Sequence, residues 1–107
     1  MIEVTIFKNS EVYKGFKFSG HAGFSYEGDD VVCSAVSVLA INCINSIEQF
    51  TDDGFVVETD EKAGIIDFKF DDDVSSESNL LMDSLVLGLK AILEDNKQYI
   101  KLDFKEV

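Results

Sequence analysis

Two side chains in this sequence have the types and the spacing for covalent chemistry: His21 and Cys33, twelve positions apart. A thiolate attacks a carbonyl carbon, and an imidazole takes up and returns a proton near neutral pH, so together they suffice for acyl transfer. His21 is the single imidazole of the chain, set between Gly20 and Ala22. A free carboxylate titrates near ~4 and is too weak a base unless buried, so the role of general base falls to His21 by elimination. The ordinary alternatives are a small buried cysteine and a solvated loop histidine. Which applies depends on where the local structure places each one.

Residues 31–50, VVCSAVSVLAINCINSIEQF, carry helical apolar spacing, and Asp30 stands where an N-cap belongs. At ~100° per residue, Val32, Val36, Leu39, Cys43, Ile47 and Phe50 fall on one apolar stripe with Cys43 at its middle, which assigns Cys43 to the core. Cys33 falls roughly 100° from that centre, beside Ser37, at the edge of the buried face. It is also the third residue after the expected cap. The unpaired N–H groups and positive end of that first turn favour the thiolate and offer an oxyanion hole. Asp30 is a candidate for orienting His21 as well as capping, and Ser37, one turn after Cys33, is a candidate hydrogen-bonding neighbour. On one helix the two cysteines would lie about 15 Å apart, whereas a disulfide needs Cα atoms within ~7 Å, so no intramolecular bridge is expected.

The segment GHAGFSYEGDD, residues 20–30, holds three glycines and no apolar periodicity. It reads as an irregular loop that must return His21 to the helix, costly to order and ordering on binding. Around it the pattern predicts strands and one further helix. Ile2, Val4 and Ile6 alternate with Glu3 and Thr5, and Phe16 and Phe18 alternate with Lys17 and Ser19 from about Lys14 to Gly20, giving a hairpin through Asn9-Ser10-Glu11. Residues 55–60 and 64–70 form a second hairpin around Glu61-Lys62-Ala63-Gly64, with Phe55, Val57, Ile66, Phe68 and Phe70 inward. Ser75 or Ser76 caps a helix with Leu81, Leu85, Leu89 and Ile92 at helical spacing and a stop at Asn96. Ile100, Leu102 and Phe104 then alternate as a last strand. The expected fold is α+β, an antiparallel or mixed five-stranded sheet with two helices covering one face, in the order β-β-α-β-β-α-β.

At 107 residues, without proline, linker or repeat, the chain reads as a single domain over residues 1–107. Its start lacks a secretory pattern and no run approaches ~18 uninterrupted apolar residues, so no membrane partner and a cytoplasmic location are expected. Twenty-one acidic residues against nine lysines, and no arginine, give a net charge of -12. Such a surface repels a phosphate backbone, so no direct nucleic acid partner is expected, and it attracts a basic polypeptide. No cofactor or metal is expected either. A zinc site lacks a CxxC and a second histidine, a calcium loop from Asp71 fails at Ser76 and Met82, and neither GHAG nor EGDD builds a phosphate loop.

Residues 20–48, GHAGFSYEGDDVVCSAVSVLAINCINSIE, strongly resemble the ribosomal-processing cysteine protease Prp family, with the GHAG and DVVCSAVS elements specific in combination. The resemblance extends to the N-terminal hairpin and the glycine-bearing C-terminal helix. It implies a bacterial thiol endopeptidase that removes an N-terminal extension from the twenty-seventh large-subunit ribosomal protein, cutting between an aromatic residue and alanine and acting as a homodimer. It maps the nucleophile to Cys33, the general base and acid to His21, and a less settled acid to Asp30. The glycine-rich loop over the site would contain Gly20, Ala22, Gly23, Phe24 and Gly28. Two rivals come from other classes: a non-catalytic acidic assembly factor that binds a basic ribosomal protein, and a redox sensor, for which no resolving thiol lies near Cys33.

Overall fold

In a computed structural model, the chain folds as β1 (Ile2–Asn9), β2 (Val12–Ser19), α1 (Asp29–Phe50), β3 (Phe55–Asp60), β4 (Ile65–Phe70), α2 (Ser76–Asp95) and β5 (Ile100–Glu106). The structure describes residues 1–20 and 29–107, with residues 29 and 30 by their backbone. The expected order of elements is therefore present, and the sheet is mixed. Its strand order is β3-β4-β2-β1-β5, antiparallel throughout except that β5 runs parallel to β1. A parallel neighbour needs a crossover, which α2 supplies.

Period-two alternation places Ile2, Val4, Ile6, Phe16, Phe18, Phe68 and Ile100 on one face, all buried. Stacked rings join the middle strands, with Phe16 and Phe68 centroids 4.9 Å apart. Both helices cover this face. Val32, Val36, Ala40, Cys43 and Ile47 of α1 and Met82, Leu85, Val86 and Leu89 of α2 complete a single core. The helices meet where Gly88 of α2 takes Leu39 of α1, since a Cβ at Gly88 would sit 3.0 Å from Leu39 Cδ1. By length and composition alone Val31–Phe50 of α1 is apolar enough to cross a bilayer, and its buried stripe packs on the sheet.

Three expectations need correction. Phe50, assigned to the buried stripe, is 72% exposed, because it is the last residue of α1 and the sheet below has ended. Phe104 lies on the inward row beside Ile6, as its alternation implies, but burial does not follow: on the edge strand β5 it stays 49% exposed, with its ring 5.5 Å from Lys90 Nζ. Asp30 is not the cap of α1. The helix already includes Asp29, so Asp30 is its second residue. At α2 the expectation holds: Ser75 is the N-cap, accepting from the Ser78 N–H at 3.1 Å, and Asn96 is the C-cap.

Candidate functional site

Cys33 and Cys43 share a helix and differ in environment as their wheel positions predict. Cys43 is buried, with its sulfur 3.8 Å from the Leu81 carbonyl oxygen and 3.9 Å from the Met82 sulfur, and burial pushes its thiol up to about 12. Such a thiol stays protonated and inert at neutral pH. Cys33 is half-buried at the edge of the core. Both thiols are free.

Because α1 starts at Asp29, Cys33 is its fifth residue and lies just beyond the first turn. The backbone N–H groups that a helix leaves unpaired belong to its first turn, ahead of Cys33. This corrects the expected placement of Cys33 inside the first turn. The helix end still directs its positive pole toward the same end of the molecule.

Cys33 opens onto a cavity of about 440 Å³ between α1 and the end of the sheet where β2 finishes. From α1 the wall is Cys33, Ser37, Ile41 and Asn45, a ladder with four-residue steps, joined by Val36 and Ile44. Ile2, Phe18 and Ile66 supply an apolar floor from three strands. The second hairpin supplies the far side, with Val57 and Ile65 below and Asp60 and Glu61 at the rim. An apolar basin with a few polar groups at its edge suits a large apolar side chain next to a charged or polar chain.

Gly20 also lines this cavity, at the mouth of the segment bearing His21. Its φ is +99°, and a Cβ there would lie 2.5 Å from the Met1 carbonyl oxygen, so only glycine fits. Of the residues singled out in the sequence, Cys33, Ser37 and Gly20 therefore share one cavity. His21, Ala22, Gly23, Phe24 and Gly28 lie outside the described residues, as does the side chain of Asp30. The motifs gave no hint of Asn45, Asp60, Glu61 and Ile65. Asn45 was within reach, since Cys33, Ser37, Ile41 and Asn45 recur every four residues; the hairpin residues depend on the sheet order.

The description Cysteine protease Prp belongs to a family profile that matches residues 1–101. The Ribosomal processing cysteine protease Prp of Bacillus subtilis (strain 168) is 26% identical over 109 aligned positions, covering 95% of this chain and 96% of that protein. Among solved structures, an essential ribosomal processing protease Prp from S. aureus in complex with a substrate peptide is similar with a TM-score of 0.90 and 25% identity, covering 98% of this chain and 100% of that one. An S. aureus Prp structure with a covalently linked product peptide gives a TM-score of 0.88 at 26% identity, with the same coverage.

Proposed function

Since this chain belongs to the cysteine protease Prp family and is a cysteine-type peptidase, we propose that it removes the N-terminal extension of the twenty-seventh large-subunit ribosomal protein during bacterial ribosome maturation, in the cytoplasm. The observation that carries this reading is Cys33 at the edge of the core, opening onto a cavity with an apolar floor and an acidic rim. The floor suits the aromatic residue before the cut. Asp60 and Glu61 suit the basic chain that a ribosomal protein presents.

The reaction is acyl transfer. The Cys33 thiolate attacks the scissile carbonyl carbon, the C–N bond breaks, and His21 gives its proton to the leaving amine. His21 then takes a proton from water, whose oxygen attacks the thioester and returns Cys33 as thiolate. Unpaired N–H groups of the first turn of α1, just ahead of Cys33, are the natural donors to the oxyanion. Gly20 fixes where the segment bearing His21 departs. A homodimer fits the surface too, since Val38, Leu39 and Ile92 line a shallow apolar groove on the helical layer and Val38 is exposed.

Incubation with a peptide spanning the extension, beside Cys33→Ala, tests the proposal on one gel. Two fragments from the native chain and none from the variant are expected. Peptide left uncut by both chains would contradict it.

A further inference from the structure

The face of the sheet turned away from the helices carries a basin that peptide cleavage does not use. One row crosses four strands there: Lys69 of β4 beside Gly15 of β2, Gly15 beside Phe7 of β1, and Phe7 beside Lys105 of β5. Gly15 adds no side chain to the row, and a Cβ there would collide with the Phe68 carbonyl oxygen, so the row is hollow beside Phe7. Lys14, Lys17 and Asp67 close the hollow, whose volume is about 530 Å³. That size lies within the ~300–1,000 Å³ range of small-molecule sites.

Solubility does not account for its composition. Four of the nine lysines of a chain with net charge -12 meet here with one acidic side chain. The ion pair found among the described residues joins Lys101 and Asp103, so Lys14, Lys17, Lys69 and Lys105 have no carboxylate partner there. Lys69 Nζ lies 5.9 Å from the centre of the Phe7 ring. Asp67 Oδ1 is shielded from solvent and has no hydrogen-bond partner among the described residues.

We propose that this basin binds a nucleoside polyphosphate. Lysine ammonium groups hold phosphate oxygens as point charges, an aromatic ring stacks on a base, and a carboxylate accepts from sugar hydroxyls. Here the lysines, Phe7 and Asp67 take those three parts. Lys69 and Lys105 stand three strand spacings apart, ~14 Å, room for a nucleotide laid along the row. Acidic residues elsewhere weaken the attraction little, because charges beyond ~8 Å are screened at physiological salt. The cavity at Cys33 lies on the helical side, so both sites can be filled together, and this inference stands apart from the peptidase reading.

Calorimetric titration of the full chain with ATP, inorganic tripolyphosphate, adenosine and a short oligouridylate tests it, with amide NMR shifts mapping the site on the native chain. ATP is expected to saturate with Kd below ~1 mM and to shift the amides of Phe7, Lys17 and Lys69. Lys17→Ala with Lys69→Ala should weaken ATP at least about tenfold, while Lys97→Ala, away from the basin, leaves it unchanged. Phe7→Leu should weaken ATP about threefold or more and tripolyphosphate less than about twofold. No saturation, shifts elsewhere, equal ATP binding by the double lysine variant, or equal loss of both ligands in Phe7→Leu would overturn the proposal. Oligouridylate binding about tenfold tighter than ATP would also overturn it, since a strand rather than a free nucleotide would then be the ligand.

Discussion

Ten positions separate Cys33 from Cys43 on α1, yet one faces a cavity and the other the core. Native-state alkylation should therefore modify Cys33 first, and faster labelling of Cys43 would contradict the environments described. Cys43→Ala should lower stability by about 1 kcal/mol or more, as expected for a small buried group, while the folded fraction keeps its activity. A chemical denaturation curve and a cleavage assay on the same sample check both. His21→Ala should cost at least about a hundredfold in turnover with peptide affinity largely kept. Asp30→Asn should cost less, because it removes only a charge at a helix end. Equal damage from the two substitutions, with the fold intact, would promote Asp30 to a partner of His21. The assignment of Cys43 to core and Cys33 to its edge was legible in the sequence because helical phase follows from spacing alone. Phe50 was misread for a related reason: phase says which way a side chain points, and not whether the sheet still lies beneath it.

At the scale of elements, the junctions around α2 and β2 carry the sharpest expectations. The Asp53 carboxylate accepts from the Ser75 hydroxyl at 2.6 Å and the Ser75 N–H at 3.0 Å, and Ser75 caps α2 in turn. The Ser75 hydroxyl, followed by Ser78, holds the Asp53 carboxyl below the usual range. A carboxyl lowered in the folded state adds stability above its unfolded value of about 3.9, and that stability is lost as pH falls through the folded value. Ser75→Ala should thus remove about 1 kcal/mol of capping at neutral pH and flatten the acid limb of the stability profile. Thermal unfolding between neutral and acid pH measures it, and an unchanged acid limb would contradict the pairing. Gly20→Ala should destabilise the chain by about 1–3 kcal/mol, since φ of +99° and the Met1 carbonyl both exclude a side chain. All seven elements were readable from alternation, helical spacing and turn residues. The partners of each strand were not, because the order β3-β4-β2-β1-β5 is decided by long-range packing. The residues of the cavity that come from the second hairpin were hidden for that reason.

For the whole molecule, one sheet covered on one face divides the surface into a helical side bearing the Cys33 cavity and an open side bearing the lysines. The net charge of -12 should draw a basic peptide toward the chain, so kcat/KM for such a peptide should fall as salt rises, with kcat little changed. A salt-independent kcat/KM would show that charge plays no part in capture. The central claim is that Cys33 forms the covalent bond to the substrate. Acid quenching of the native chain during turnover of the extension peptide, followed by intact and fragment mass spectrometry, tests it most directly. The account predicts a mass increase equal to the N-terminal fragment less one water, mapped to Cys33, removed by hydroxylamine and absent from Cys33→Ala, which also fails to cleave. Cleavage by Cys33→Ala within about tenfold of the native rate, or an adduct on any other residue, would contradict it.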